Sequence, residues 1–403
     1  MKKLVVGLFF GGRSVEHEVS VVSALQAYEN LDKDKYEVIP IYVGKDGKFY
    51  SHPAFLDIKN YKDIDQLLLS ATQLVPAAKN NQTGLMTTGM LPKLKQLDVV
   101  LPIFHGTFGE DGAMQGVFDI YQIPYVGLSV TGSALSMDKI LQKPVYKELG
   151  LIVGKYFWFR RNEWFADNKK VLKQIQEELK FPMFVKPASI GSSIGINKAS
   201  DEDALGFAIE VASAYSDKLL IEEAFEGCIE VNCSALGYRD IYASVCEMPV
   251  ASSDILSFAD KYMKGGKGSK GAGSPREAGM ASLTRVIPAP ISAKLAKEIQ
   301  EATIKVFRAF DGCGVIRVDY FVDKEKEKFW INEVNPIPGS LSFYLWNKTP
   351  NPFKEGKGTL EYPELLDKLI EFALQRAEDQ KKTQYTFESG LLQRMALKSG
   401  SKN

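Results

Sequence analysis

Histidine is scarce. Only His17, His52 and His105 occur in 403 residues, which excludes a histidine-rich metal site and leaves any metal to rely mainly on oxygen ligands. Cysteine is nearly as rare. Cys228, Cys233, Cys246 and Cys313 show no CxxC spacing and read as reduced, buried thiols of a cytoplasmic protein. Neither sign of charge is in excess, with Lys+Arg and Asp+Glu at 50 each. That balance gives no electrostatic reason to expect nucleic acid or an anionic membrane as partner. No apolar run reaches the roughly 18 residues of a membrane span. The opening apolar run is short, ends in Gly11-Gly12-Arg13 without a small-residue cleavage site, and reads as a buried first strand rather than a signal peptide.

What is present suggests two or three domains, because 403 residues exceed one small core. Leu4 to Phe10, the glycine turn, a helical pattern over Val19–Leu31 and a strand over Tyr36–Val43 make a βαβ opening, which favours a parallel sheet. Residues 45–92 read as polar turns with a short helical stretch near Ile64–Leu69, an embellishment of the first domain. Leu97 to Phe104 is another buried strand. Later come a helix at Val171–Leu179 and strands at Met183–Pro187, Leu219–Glu223, Ile229–Leu236 and Ile241–Met248. Residues 264–279, dense in Gly, Lys and Ser, cannot pack a core and read as a mobile loop. A helix at Ala293–Phe310, a hairpin of Gly314–Val322 with Lys328–Val334, and a helix at Glu364–Ala377 complete the chain.

Four segments carry chemistry. In Phe184-Val185-Lys186-Pro187-Ala188-Ser189-Ile190-Gly191-Ser192-Ser193-Ile194-Gly195 a lysine ends a buried strand and a small-residue loop follows. Such a loop exposes backbone N–H groups to phosphate oxygens, and the lysine adds a point charge. It does not match G-x-x-x-x-G-K-[ST], and an ordinary Gly-rich hairpin is the competing reading. On the late strands, alternation puts Arg317 beside Asp319 and Glu333 beside Asn335 on one face. Two carboxylates and an amide oxygen suit Mg²⁺, and the arginine suits developing negative charge; a solvated face of ion pairs is the alternative. Gly11-Gly12-Arg13-Ser14-Val15-Glu16 feeds a helix N-terminus, where Glu16 could anchor an ammonium group or simply belong to a capping arrangement. His105-Gly106-Thr107-Phe108-Gly109-Glu110 closes a buried strand, where α/β sheets bind ligands, although a satisfied turn histidine also fits.

Taken together, in this order and spacing, these motifs resemble the D-alanine–D-alanine ligase family of the ATP-grasp superfamily, from about residue 4 to residue 345. Ser133-Ala134-Leu135-Ser136-Met137-Asp138-Lys139 is especially specific to it. The resemblance implies a three-domain α/β ATP-grasp fold with an N-terminal parallel-sheet domain. The divisions are 1–132, a central domain 133–222, and a catalytic domain 223–403 carrying a mobile loop at 258–285. It implies ATP, with Lys139, Lys186 and Lys261 on the nucleotide, Glu222, Glu223, Ala224 and Phe225 as the hinge beside adenine, and Glu230 at the ribose. Asp319, Glu333 and Asn335 would hold two Mg²⁺ ions, with Mn²⁺ a possible replacement. Glu16 would take the ammonium of the first D-alanine, His105 would lie near its carboxylate, and Glu110 would support that end. Ser192 and Tyr262 would join Glu16 in a network closing the site. Tyr344 and Leu345 fall where the second substrate binds.

The implied reaction is ATP-dependent formation of D-alanyl-D-alanine for peptidoglycan synthesis. ATP phosphorylates the first carboxylate and the second amine attacks the acyl phosphate. Arg317 and the Gly339 N–H would stabilise the oxyanion, by about 3–4 kcal/mol per donor. A homodimer is implied as well. Two departures put the acceptor in question: Pro336 stands where the family has Thr, and Tyr344-Leu345-Trp346 replaces Ser-Leu or Ser-Arg. A related ligase with another amino-acid or hydroxy-acid acceptor is the alternative, and a non-catalytic nucleotide-binding protein is a third reading.

Overall fold

The computed structural model describes residues 2–79, 82–250 and 284–384, with 387, 390–393 and 395 near the end. Lys261, Tyr262 and nearly all of the expected mobile loop lie outside the described residues.

Seven strands form the first sheet: β1 (Leu4–Gly11), β2 (Tyr36–Val43), β3 (Phe49–Ser51), β4 (Thr72–Lys79), β5 (Gln82–Thr87), β6 (Leu94–Gln96) and β7 (Val99–Phe104). Their order is β6-β5-β4-β3-β2-β1-β7. β1 pairs in parallel with both β2 and β7, as the helix His17–Asn30 between β1 and β2 requires of a crossover connection. The segment 45–92 is more ordered than its sequence suggests. Besides the helix Ile64–Ser70 it carries β3 to β5, and with β6 just beyond it these extend the sheet antiparallel. The added strands are short or partly exposed, and β4 carries Pro76, so neither strict alternation nor a solid apolar run marked them.

The second sheet, β8 (Tyr156–Arg160), β9 (Met183–Pro187), β10 (Asn197–Ala199) and β11 (Lys218–Glu223), is antiparallel in the order β10-β9-β11-β8. Its core gathers Val185, Ile221 and Leu219 with Ile175 and Leu205 from the flanking helices. The third sheet joins β12 (Ile229–Gly237), β13 (Ile241–Ala243), β16 (Gly314–Asp323) and β17 (Lys328–Asn335) in the order β13-β12-β16-β17; β14 (Met248–Pro249) and β15 (Arg285–Val286) pair beside it. The expected strand Ile241–Met248 is broken in two. The Ser244 hydroxyl accepts from Ser234 N at 2.9 Å in place of a ladder carbonyl, and the chain returns to β12 at Glu247, which bridges to Asn232. Helix Ala293–Ala309 buries Leu295, Ile299, Val306 and Phe307 against this sheet. The late helix Tyr362–Gln380 instead joins the core of the first sheet through Leu365, Leu366 and Leu369. The C-terminal helix therefore ties the third unit to the first.

Candidate active site

Each functional side chain is seated for a local reason. Glu16 precedes helix His17–Asn30, its backbone N donating to Ser14 Oγ at 3.0 Å and its carbonyl accepting from Ser20 N at 3.1 Å. Its carboxylate is buried and accepts from the Ser192 hydroxyl, so the first unit meets the β9–β10 loop there. That loop turns through left-handed backbone at Ser192 (φ 53°), Ser193 (φ 59°) and Gly195 (φ 74°). Gly106 and Gly191 make room: a Cβ on them would stand 2.7 Å and 2.9 Å from Glu16 Oε2. Glu110 accepts from the Gly106 and Ile337 backbone N–H groups. Burial and the nearby Glu16 raise its carboxyl well above the usual range. His105 is buried, 3.1 Å from Ser23 Oγ. Burial, with Arg317 beside it, pulls its imidazole down to about 4, so it is neutral at pH 7.

On the other wall, Asp138 caps helix Lys139–Glu148 by accepting from Ile140 N (3.0 Å) and Leu141 N (3.1 Å), which fixes Lys139 in the first turn. Lys139 Nζ donates to the Ile190 carbonyl at 2.8 Å and pairs with Glu333 at 3.0 Å. Arg317 and Asp319 share a face of β16 and make a bidentate pair at 2.7 and 2.8 Å. Asn335 Nδ2 donates to Asp319 Oδ2 at 3.0 Å across the hairpin, and Asp319 stands opposite Glu333 in register. The register slips after Asp319, leaving Asn332 bulged, and Asn332 Oδ1 accepts from Lys186 Nζ at 3.2 Å. Bulges beside active sites re-aim side chains in this way.

A single cavity is lined by Glu16, His105, Glu110, Lys139, Gly191, Ser192, Arg317, Glu333, Asn335 and Gly339. Behind it lies a charge cluster. Glu222 pairs with Lys186 at 2.7 Å and with Lys143, all three buried. Burial opposes its ionisation, yet the two ammonium groups bring its carboxyl down to about 2. At Lys143 burial wins and lowers the ammonium; at Lys186 burial is outweighed by Glu222, Glu333 and Glu230. Glu223 accepts from Lys180 N at 2.9 Å, Ala224 N donates to the Pro182 carbonyl at 2.9 Å, and Phe225 stacks on Phe321 at 4.8 Å. Tyr344 and Leu345 do not line the cavity. Tyr344 is buried with its hydroxyl 3.4 Å from Arg317 Nη1, and Leu345 packs beneath it. Ser340, Leu341 and Ser342, between them and Gly339, have φ of 52°, 52° and 53°.

Sequence reasoning missed Lys143, Asn232, Glu247 and Arg285. Lys143 carried a signal, since it follows Lys139 by one helical turn on the same face. Asn232 and Glu247 carried none: each sits in an apolar strand segment and becomes interesting only through what it touches.

The donor set fits a divalent cation. Asp319 and Glu333 are register neighbours offering hard carboxylate oxygens, and Asn335 beside them has an amide oxygen. Among the described residues no cluster of three or more His, Cys, Asp or Glu could hold a metal unaided.

The fold and this site define an ATP-dependent ligase. Family models described as D-ala D-ala ligase N-terminus and C-terminus match residues 5–128 and 145–371. A D-alanine–D-alanine ligase of Acetivibrio thermocellus is 36% identical over 393 residues, covering 94% of this chain and 97% of the relative. One of Natranaerobius thermophilus is 36% identical, covering 96% and 99%. Among solved structures, the D-alanine–D-alanine ligase of Coxiella burnetii has a TM-score of 0.75 at 26% identity and covers both chains fully. The VanG D-Ala:D-Ser ligase of Enterococcus faecalis has a TM-score of 0.72 at 28% identity, covering 92% of this chain and all of that one. The chain belongs to the D-alanine–D-alanine ligase family.

Proposed function

We propose that this enzyme joins two D-alanines into D-alanyl-D-alanine for peptidoglycan synthesis, spending ATP through a D-alanyl phosphate. One observation carries the reading: a single cavity has a buried Glu16 and neutral His105 on one wall and Lys139, Arg317, Glu333 and Asn335 on the other. Glu16 supplies the negative charge that holds an ammonium group, and Arg317 the positive charge that receives a carboxylate or an oxyanion. Lys186, paired with Glu222 in a dry setting and close to the cavity wall, supplies a fixed positive charge that suits polyphosphate there. Lys139 and Lys186 contact the nucleotide, Glu222 to Phe225 border adenine, and Glu230 takes the ribose. Asp319, Glu333 and Asn335 hold two Mg²⁺ ions, which when bound neutralise phosphate charge and polarise the transferred phosphoryl group. The chain works as three units, 1–132, 133–222 and 223–403, and as a homodimer.

The order of events follows from the two walls. Glu16 fixes the first amino acid so that its carboxylate points to the nucleotide, which converts an encounter into an oriented transfer. Arg317, with the Gly339 N–H near it in the cavity, then meets the charge that develops as the second amine attacks. A buried cavity protects the acyl phosphate from hydrolysis.

Tyr344 in place of a small residue favours a second reading, in which the acceptor is another small amino acid or a hydroxy acid. Phosphate release with D- and L-amino acids and D-lactate, with products identified by mass, separates the two. D-alanyl-D-alanine as main product supports the proposal; no amino-acid-dependent release of ADP would reject it.

A further inference from the structure

Beneath the cavity, Arg285, Glu247, Asn232, Asp319, Arg317 and Tyr344 pack together in one polar cluster. Arg285, on β15, sets its guanidinium carbon 3.5 Å from the Tyr344 ring centroid. Its Nη1 donates to Glu247 Oε2 at 2.9 Å, and Glu247 is wholly buried. Asn232 is the register partner of Asp319. Its amide nitrogen donates either to Glu247 Oε1 at 3.3 Å or, turned about, to Asp319 Oδ1 at 3.1 Å and Glu230 Oε1 at 3.3 Å. Asp319 holds Arg317, and Arg317 returns to the Tyr344 hydroxyl at 3.4 Å. The Tyr344 phenol is thus gripped twice, at the hydroxyl by Arg317 and on the ring face by Arg285.

The carboxylates of Asp319 and Glu247 already answer the charges of the two arginines. What Arg285 adds is shape. A guanidinium plane lies flat on an aromatic ring and an ammonium does not. We infer that Arg285 is a positioning residue for the acceptor end of the site: it pins the Tyr344 phenol, which lies behind the cavity, against Arg317, which lines it, so that the fixed place of the Arg317 guanidinium admits small amino acids as acceptors and disfavours bulkier ones. This rests on the activity proposed above.

The test uses the full chain with ATP, Mg²⁺ and D-alanine, offering D-alanine and D-valine in competition as acceptors and weighing the dipeptides by mass spectrometry. Arg285→Lys keeps a cation for Glu247 and loses the flat stack. Its preference for D-alanine falls roughly three- to tenfold, part of the roughly thirtyfold that a fully desolvated cation–π contact is worth, because the lysine keeps some of the attraction. Hydroxylamine trapping of the activated donor, which bypasses the acceptor, changes less than ligation does. Tyr344→Leu removes the ring and shifts the preference in the same direction, and the double variant shifts it by less than the product of the two. A preference within twofold of the wild type in both single variants overturns the inference, as does trapping that falls in parallel with ligation. Wild-type enzyme that traps no hydroxamate overturns the proposed activity itself, and this inference with it.

Discussion

Glu222→Gln is the sharpest test of how the nucleotide wall is held. The carboxylate is the common partner of Lys186 at 2.7 Å and of Lys143, and all three groups are buried. Glutamine keeps the shape and removes the charge, leaving two ammonium groups with no anion between them. Two routes give the size of the loss. Breaking a buried pair by removing one partner costs about 3–5 kcal/mol. A carboxyl moved from 4.5 to about 2 corresponds to roughly 3 kcal/mol at about 1.4 kcal/mol per tenfold change. At about 2–4 °C per kcal/mol, the apparent melting temperature should drop by roughly 6–20 °C. The sign with pH is fixed by the direction of the shift. Because Glu222 is easier to ionise folded than unfolded, its contribution is complete above pH 4.5 and is lost as pH falls toward 2. Wild-type stability should therefore decline through that window, and Glu222→Gln should decline less. Differential scanning fluorimetry from pH 7 to pH 3 reads both effects. A variant melting within 1 °C of wild type at pH 7, or with the same acid slope, would refute the argument that this carboxylate neutralises the pair.

Two further substitutions address the walls of the cavity. Glu333→Ala removes a carboxylate register-paired with Asp319; turnover should fall at least about a thousandfold, given several kcal/mol per metal contact, while circular dichroism stays unchanged. Near-normal activity would reject the metal assignment. Gly106→Ala should raise the KM of the first amino acid more than that of ATP, because a Cβ there would meet Ser14 Oγ at 2.3 Å and Glu16 Oε2 at 2.7 Å on left-handed backbone; equal effects on both constants would detach Gly106 from the ammonium site.

Much of the fold was legible where one physical rule acted alone. The βαβ opening, β9 and the hairpin of β16 and β17 follow from apolar runs, crossover geometry and alternation. Strands β3 to β6 were not legible, because short or partly exposed strands, one with Pro76 inside it, leave no clean alternation. In the site, alternation alone placed Arg317 with Asp319 and Glu333 with Asn335. The roles of Lys143, Asn232, Glu247 and Arg285 depend on register between distant strands and on contacts across units, such as Arg285 with Tyr344, which no local pattern encodes. The bulge at Asn332 is the clearest case. One extra residue in β17 brings an amide to Lys186, and only the paired strand reveals that the residue is extra.

The Arg317–Asp319 pair has a consequence for how metal enters. Both Asp319 oxygens are engaged by Arg317, and Oδ2 also accepts from Asn335. A divalent cation must therefore compete at Asp319 with a bidentate, charge-assisted interaction that is well shielded from water. Nucleotide changes that balance, since phosphate oxygens offer Arg317 another partner and the metal further ligands. The protein alone should bind Mn²⁺ weakly, and ATP should tighten binding beyond what Mn²⁺–ATP affinity explains. Arg317→Met should free Asp319 and strengthen nucleotide-free Mn²⁺ binding about tenfold or more, a gain of roughly 1.4 kcal/mol, even though ligation is lost. Titration followed by the paramagnetic resonance of free Mn²⁺ measures this without turnover. If Arg317→Met binds nucleotide-free Mn²⁺ no better than wild type, the arginine does not guard the carboxylate, and Asp319 is held away from metal by something other than this pair.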